Sequence, residues 1–288
     1  MDQQAELRIV RAAYAKQILA TATVDNPRLA AAFAAIPRED FLGPGPWLIL
    51  RWTRYVATPD ADPVYLYTND LVALVSERYV NNGQPSLHAH LMHQARPVAG
   101  EHVVHVGTGA GYYTAILAHL VGPSGRVTGI EYDPELAARA RACLAPYPNV
   151  RVVEGDGAQV PFDAADIIYV NAGCTQPAAR WLDSLADGGR LILPMTSDQG
   201  SRSALPDRMA RAGAVFRIER QGEDYHASWI SPVAIIPCAG NREAASERAL
   251  AEAFDRGGWD KVTRLYRDQE IPEERCWVRG PDWCLAYD

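Results

Sequence analysis

The stretch that decides the fold runs from Val103 to Ala115 and reads VVHVGTGAGYYTA. Its first four residues form a short, mostly apolar run followed by glycines, which predicts a buried parallel strand. Glycines alternate with small residues over 107–111, so the backbone there can approach a ligand closely. Apolar residues then recur at helical spacing through Val121, which predicts a helix over 112–121. Strand, glycine turn and helix together are typical of a nucleotide-cofactor site, because the helix N-terminus offers N–H groups to an anion.

Three features bear on which cofactor this is. The spacing is G-x-G-x-G rather than the dinucleotide pattern G-x-G-x-x-G, and Tyr112 stands where the last glycine would be. The next predicted strand, 126–131, ends on Glu131, whose carboxylate can accept hydrogen bonds from both hydroxyls of a ribose. A third strand, beginning at Val150, is followed by Asp156, which can accept from an adenine amino group. Together these features favour S-adenosylmethionine over NAD, although an NAD-dependent dehydrogenase stays open as the least favoured alternative.

The sequence resembles the protein-L-isoaspartate O-methyltransferase family. The resemblance is carried by GTGAGYYTAILAHLV at 107–121, QP at 84–85, GDG at 155–157, DIIYV at 166–170 and GGRLILP at 188–194, and it covers about residues 27–240. It implies a class I methyltransferase: an α/β, Rossmann-like fold with a seven-stranded, mostly parallel sheet and helices on both faces. The cofactor-binding candidates are Gly107, Thr108, Gly109, Gly111, Tyr112, Glu131, Tyr132, Asp156, Gly157 and Asn171.

The loop at 81–86 is where the chain departs from the family. Aligning Gln84-Pro85 with the family's Thr-Ile-Ser-Gln/Ala-Pro motif places Asn81, Asn82 and Gly83 where the family has Thr, Ile and Ser. Gly83 cannot supply the family's hydroxyl, and Ser86 replaces it only if the loop is re-registered. We assign catalytic positions to Asn82, Gly83 and Ser86, and substrate-binding positions to Asn81, Asn82 and Gln84, since amides both donate and accept. The alternative is that Asn-Asn-Gly only makes a turn.

Several polar residues outside this loop receive a structural interpretation. His88, His90 and His93 lie on a predicted helix over 85–95 with no acid nearby, so we expect no metal site. Asp166 begins a strand and is expected to be structural. His226 could act as a base, but a surface hairpin is favoured. The stretch 47–53 could cover the cofactor site, but packing on the core is favoured.

Composition narrows the function class. The chain has 288 residues, 48% of them hydrophobic and 22% charged, which is typical of a globular protein. Its net charge of −7, with no cluster of Lys and Arg, argues against a nucleic-acid partner. No stretch resembles a signal peptide or is long enough for a membrane span. The five cysteines show no C-x-x-C spacing, so neither zinc nor a disulfide framework is expected, and we predict a cytoplasmic protein.

The expected organisation has three parts. These are an N-terminal helical segment over 1–79, a methyltransferase domain over 80–240 and an extension over 241–288 that packs on the core or on a second subunit of a homodimer. A carboxylate acceptor needs no general base at neutral pH, which favours methylation of a protein or peptide carboxylate. Open alternatives are a methyltransferase that tailors a modified peptide or small-molecule acid, and a non-catalytic, cofactor-binding scaffold.

Overall fold

The computed structural model describes residues 2–52, 54–198 and 213–288, which divide into two compact units. The first unit comprises Met1–Glu101 and Thr108–Glu154, and the second comprises His102–Gly107 and Gly155–Asp288. The extension after residue 240 belongs to the second unit, and the three-part division expected from the sequence stays a prediction. Within the described residues, no helix combines the length and apolarity needed to cross a bilayer.

The described residues contain seven α-helices. They are α1 (Gln3–Thr21), α2 (Pro27–Ala35), α3 (Pro85–Ala95), α4 (Tyr112–Val121), α5 (Pro134–Leu144), α6 (Ala179–Ser184) and α7 (Ala244–Arg256).

The strands alternate with these helices through the middle of the chain. They are β1 (Leu48–Arg51), β2 (Arg54–Ala57), β3 (Ala73–Val75), β4 (Val80–Asn81), β5 (His102–Val106), β6 (Arg126–Glu131), β7 (Val150–Glu154), β8 (Ala165–Val170), β9 (Leu185–Thr196), β10 (Gly213–Gln221), β11 (Asp224–Pro232), β12 (Arg264–Arg267), β13 (Cys276–Arg279) and β14 (Trp283–Ala286).

Helices α1 and α2 begin the first unit and share a buried aromatic contact. Asn26 caps α2 by accepting from Leu29 N at 3.1 Å, and Pro27 occupies the first helical turn, where its missing N–H costs nothing. The rings of Tyr14 and Phe33 meet edge to face at 6.3 Å. The two helices therefore pack against each other through buried apolar side chains.

The segment between α2 and α3 forms two small antiparallel hairpins, β1–β2 and β3–β4. Trp47 is buried in a cluster with Leu42, Ile49, Leu66 and Val72. Core packing is therefore confirmed for Trp47 and Ile49 of the 47–53 stretch but not for Trp52, which is 98% exposed, and Thr53 lies outside the described residues.

The first unit also contains helix α4, which follows the glycine turn, and the two strands β6 and β7. Strands β6 and β7 are parallel, with Glu131 opposite Glu154 at their carboxyl ends. Helix α5 lies between them in sequence and begins where Asp133 accepts from the N–H groups of Glu135 and Leu136. This β–α–β arrangement is the Rossmann-like element predicted from the sequence.

The second unit holds eight strands in the order β13-β14-β12-β11-β10-β9-β8-β5. Strand β8 pairs in parallel with β5 and β9, whereas the pairs beyond β9 are antiparallel. The α/β fold class is thus confirmed, but these eight strands together with β6 and β7 of the first unit make ten rather than the expected seven, because the extension supplies β12, β13 and β14. They attach where Leu265 and Arg264 pair with Tyr225 and His226 of β11.

The extension also contributes an aromatic core. The Trp277 ring is fully buried and lies 5.4 Å from the rings of both Phe216 and Phe254. The expectation that the tail packs on the core is therefore confirmed.

Two further sequence expectations need correction. The sequence predicts a helix over 177–186 and a strand that begins at Arg190, but α6 ends at Ser184 and β9 already begins at Leu185, so Gly188 and Gly189 lie inside the strand. The expected absence of a disulfide is also wrong: Cys276 and Cys284 are bonded. Their spacing resembles no disulfide signature, and only the antiparallel pairing of β13 with β14 brings the two residues together.

Candidate functional site

The glycine turn before α4 has a backbone that side chains would obstruct. Gly107, Gly109 and Gly111 have φ values of +80°, +58° and +102°, in the left-handed region that favours glycine. A Cβ on Gly107 would lie 2.9 Å from the carbonyl oxygen of Asn171, and one on Gly111 would lie 2.7 Å from the Leu144 side chain. The turn therefore requires glycine at both ends, as the spacing predicts.

Thr108 and Tyr112, two other candidates in the turn, direct their side chains into the protein. Thr108 is buried, and its N–H donates to Ile130 O at 3.3 Å. The ring of Tyr112 packs among Phe33, Phe41 and Tyr113, with centroids 5.0–6.4 Å away. Both residues thus support the turn through packing, and only their backbones remain candidates for cofactor contact.

Glu131 lies at the end of β6 and receives a backbone hydrogen bond on each carboxylate oxygen. Oε2 accepts from Gly109 N at 2.7 Å, and Oε1 accepts from Asp133 N at 3.0 Å. Burial raises the pKa of this carboxyl above its ordinary value, and the two backbone hydrogen bonds offset part of that effect. Each carboxylate oxygen can accept a second hydrogen bond, so Glu131 can bind a vicinal diol. Tyr132, the next residue, is exposed.

The remaining cofactor candidates belong to the second unit. Asp156 Oδ1 accepts from Ala158 N at 2.9 Å, and the backbone of Gly240 lies so close to this carboxylate that a Cβ would overlap it. Gly157 O accepts from Trp181 Nε1 at 2.8 Å. Asn171 follows β8 and its Nδ2 donates to Gly107 O at 3.3 Å, so it holds the start of the glycine turn.

The 81–86 loop of the first unit is held by its own asparagines. Asn81 Oδ1 accepts from Gly83 N at 2.9 Å, which closes a turn. Asn82 is buried, and its Oδ1 accepts from Val72 N at 2.9 Å and from Arg38 Nη2 at 3.2 Å. Within the described part of the chain, Asn82 Nδ2 has no hydrogen-bond partner. A buried amide donor in this state is a candidate contact for a substrate oxygen.

Gly83 has a structural reason to be glycine. Its φ is +74°, and a Cβ at this position would overlap the imidazole of His88. That imidazole stacks on the Tyr113 ring at 3.6 Å, and Tyr113 Oη donates to Gly83 O at 3.1 Å. The imidazole thus fills the space that a side chain at position 83 would need.

Ser86 and Gln84 keep their positions at the start of α3. Ser86 is buried in the first turn, where its N–H donates to Asn69 Oδ1 at 2.8 Å. Gln84 is the residue that precedes the helix. Ser86 thus lies within α3, whereas Gly83 precedes the helix.

Arg38, which the sequence analysis does not single out, is a central residue of this region. It is fully buried and donates to the carbonyl oxygens of Leu66, Thr68 and Asp70 as well as to Asn82. The available signal in the sequence is an arginine soon after the apolar helix α2, yet nothing local identifies carbonyls some 30 residues away as its partners.

Asp166 and His226, which were interpreted as structural, behave as predicted. Asp166 Oδ2 accepts from His102 N at 2.8 Å. His226 lies in the β10–β11 hairpin opposite Glu219, which confirms the hairpin interpretation. Among the residues that the structure describes, no cluster of three or more His, Cys, Asp or Glu could hold a metal ion.

Comparisons with known proteins agree with the resemblance. The family model for protein-L-isoaspartate(D-aspartate) O-methyltransferase matches residues 12–215. A protein-L-isoaspartate O-methyltransferase of Ignicoccus hospitalis is 34% identical over 157 residues, 53% of this chain and 69% of that protein. One of Methanoregula boonei is 31% identical over 75% of this chain and 87% of that protein.

A solved structure supports the same assignment. It is a protein-L-isoaspartate O-methyltransferase that superposes with a TM-score of 0.65 at 25% identity, over 85% of this chain and 68% of that one. The glycine turn with Glu131 and these matches lead to one conclusion. The chain belongs to the protein-L-isoaspartate O-methyltransferase family, a family of class I S-adenosylmethionine-dependent methyltransferases.

Proposed function

We propose that this chain transfers the methyl group of S-adenosylmethionine to the carboxylate of an isoaspartyl residue in a protein or peptide. Family membership supports the reaction class. The observation that carries the cofactor assignment is Glu131, whose two carboxylate oxygens are fixed by Gly109 N and Asp133 N at the end of β6. Fixed in this way, the carboxylate is already oriented to accept from the two ribose hydroxyls.

The residues present fit the cofactor. The glycine backbone of 107–111 offers a surface without side chains, as a close cofactor contact requires. We assign the ribose to Glu131 and the adenine amino group to Asp156. We assign cofactor contacts also to Thr108 and Tyr112 through their backbones, and to Tyr132, Gly157 and Asn171. When bound, S-adenosylmethionine supplies a methyl carbon that its sulfonium has already activated.

The chain's own contribution is to align the acceptor and to exclude water. A carboxylate is ionised at neutral pH, so no side chain has to remove a proton from it. In this proposal Asn82 Nδ2 donates to the acceptor carboxylate, while Arg38 and Val72 fix the orientation of the amide through Oδ1. Asn81 and Gln84 contact the peptide around it, and Gly83 and Ser86 set the backbone of the loop.

Cofactor binding is tested by calorimetry with S-adenosylhomocysteine, the demethylated product. The substitution Glu131→Ala should weaken binding at least several-fold, because a hydrogen-bonded acceptor is lost. Glu154→Ala is the matched control, since Glu154 ends the neighbouring strand in register with Glu131 but is exposed. Preferential binding of NAD, or equal losses in both variants, would overturn the assignment.

The acceptor is tested with an isoaspartyl peptide beside its aspartyl twin, using a labelled methyl group and then mild base. We expect label on the isoaspartyl peptide alone, released by base as a methyl ester must be. Base-stable label would mean a nitrogen, carbon or ether-oxygen acceptor and would contradict the proposal.

A second candidate acceptor is the carboxylate of a modified peptide or small-molecule acid. The observation that favours it is the Asn81-Asn82-Gly83 loop, which lacks the hydroxyl of the family pattern. Base-labile label on such an acid, with the isoaspartyl peptide unlabelled, would support this second candidate. If no acceptor is labelled while the cofactor product still binds, a non-catalytic, cofactor-binding scaffold is favoured.

A further inference from the structure

Two free cysteines of the second unit lie on neighbouring backbone segments. Cys174 belongs to the loop after β8, and Cys238 belongs to the segment that leads into α7. Gly173 and Pro237 form a parallel bridge, in which Gly173 N donates to Ile236 O at 2.8 Å and Cys238 N donates to Gly173 O at 2.9 Å. The two cysteines each follow a partner of this bridge, so they stand side by side.

This placement suits a disulfide. Neighbouring strands lie about 4.8 Å apart, and disulfides join Cα atoms about 4.4–6.8 Å apart. Residues that follow the partners of a parallel bridge project to the same face, so the Cys174 and Cys238 side chains lie on one side of the two segments. Little backbone movement is therefore needed to join them.

The surroundings make the two thiols chemically unequal. The neighbouring Cys174 thiol lowers the pKa of Cys238 to about 6, and the N–H groups of Gly240 and Asn241 act in the same direction. Burial and Asp156 oppose this shift. Cys174 is buried, and its pKa is raised well above the ordinary value by the neighbouring Cys238 thiol and by burial. Cys238 thus carries the nucleophilic thiolate, and Cys174 keeps its proton.

We propose that Cys238 and Cys174 are a reversible thiol-oxidation site, with Cys238 as the attacking residue and Cys174 as the resolving one. The Cys238 thiolate attacks a small disulfide such as oxidised glutathione, forms a mixed disulfide and releases one glutathione thiolate. Cys174 Sγ then attacks Cys238 Sγ, its proton passes to the departing glutathione sulfur, and the second glutathione leaves as a thiol. The two protein thiols lose two electrons, and the small disulfide gains them.

Closure would join two segments that already contact each other near Asp156. Thr175 N donates to Asn241 O at 3.4 Å, and Asn241 Nδ2 donates to Gln176 O at 2.7 Å. The backbone of Gly240, two residues after Cys238, lies against the Asp156 carboxylate. We therefore expect oxidation to change how the adenine of the cofactor binds. This consequence rests on the proposed function, whereas the formation of the disulfide itself does not depend on it.

The whole chain is first reduced with dithiothreitol and then treated with oxidised glutathione. The thiols that remain are blocked, and the protein is digested with trypsin. Cleavage after Arg and Lys puts Cys174 in peptide 152–180, Cys238 in 221–242 and Cys143 in 142–151, while Cys276 and Cys284 lie in 276–279 and 280–288. We expect a crosslink between 152–180 and 221–242 that dithiothreitol reverses. Cys174→Ser should stop the reaction at a glutathione adduct on 221–242.

Alkylation rates by iodoacetamide provide the second readout. In wild type, the rate at Cys238 should rise with a midpoint near pH 6, and Cys174→Ser should move that midpoint upward. Cys143→Ser is the matched control and should leave both results unchanged. Two results would overturn the proposal. One is glutathione on Cys143 in place of Cys238. The other is that the crosslink of peptide 152–180 does not form although peptides 276–279 and 280–288 become disulfide-bonded again. The binding of S-adenosylhomocysteine to the oxidised chain is measured separately, so a failure of the proposed function is distinguishable.

Discussion

The glycine turn and the 81–86 loop both depend on a glycine in the left-handed region, yet for different reasons. Gly107 has φ +80° and faces a backbone carbonyl, that of Asn171. Gly83 has φ +74° and faces a side chain, that of His88. A backbone atom cannot be exchanged by mutation, whereas a side chain can. The turn is therefore constrained by the fold itself, and the loop by one particular pair of residues.

The two regions also differ in where their support comes from. The turn is supported by Ile130 and Glu131 of β6, the next strand of the same β–α–β unit, and by Asn171 after β8. The loop is supported by Arg38, 44 residues before Asn82, and by Tyr113, 30 residues after Gly83, and no motif connects either residue to the loop. We expect substitutions to separate these two kinds of support.

The largest effect is expected for Arg38→Met. Methionine fills part of the volume but leaves three carbonyl oxygens and Asn82 Oδ1 without their buried donor. The free energy of unfolding should fall by about 3–5 kcal/mol, because each buried acceptor left unpaired costs about 1–3 kcal/mol and the losses are not additive. Urea unfolding followed by circular dichroism measures the loss.

Arg28→Met is the control for this substitution. Arg28 also donates to two carbonyl oxygens, those of Pro97 and Leu120, but its side chain is exposed to water. Water can replace the lost donor there, so a loss of less than about 1 kcal/mol is expected. Equal losses in the two variants would show that burial of Arg38 does not govern the stability of the loop region.

Gly107→Ala should have the next largest effect. The strained φ costs about 1 kcal/mol, and the Cβ placed 2.9 Å from Asn171 O adds about 1–3 kcal/mol. Gly222→Ala tests the strain alone, since Gly222 has φ +63° with no atom within 4 Å of its Cβ position. Thermal unfolding of both variants should show the larger loss at position 107, and a larger loss at position 222 would contradict the role of the Asn171 carbonyl.

The same difference explains what could be predicted from the sequence. Helix α4 and strand β6 begin and end at the predicted residues, because apolar periodicity and glycines are local signals. The partners of Asn82, the overlap between Gly83 and His88, and the Cys276–Cys284 bond all join residues through tertiary packing. No spacing rule in a single sequence identifies such pairs. The added strands β12–β14 were missed for the same reason, since the sequence predicted that the tail packs but gave no register.

A double-mutant cycle on Gly83 and His88 should give a smaller effect. Gly83→Ser alone is expected to cost about 2 kcal/mol, from the positive φ and the overlap with the imidazole. His88→Ala removes the overlap, so the double variant should be about 1 kcal/mol more stable than the sum of the single losses predicts. Gly188→Ser, at φ +72° with open space around the Cβ, gives the strain without overlap. Strict additivity would show that the imidazole does not occupy the space of a residue-83 side chain.

The smallest effect expected is the pH dependence that Glu131 confers. Burial raises the pKa of this carboxyl in the folded chain, so the folded protein retains its proton at a pH where the unfolded chain has released it. The stability contributed by Glu131 is therefore present below its unfolded pKa and is lost as pH rises through the folded value.

Cofactor binding has the opposite dependence in our proposal, because only the carboxylate accepts from both ribose hydroxyls. Calorimetry with S-adenosylhomocysteine between pH 8 and pH 5 should show binding that weakens on acidification, beginning above the ordinary range of a glutamate. Glu131→Gln should bind more weakly throughout and lose this component of the pH dependence, since its amide does not titrate. If wild type and Glu131→Gln show the same profile, the ribose is not held by the Glu131 carboxylate, and the turn would have to bind its cofactor through the glycine backbone alone.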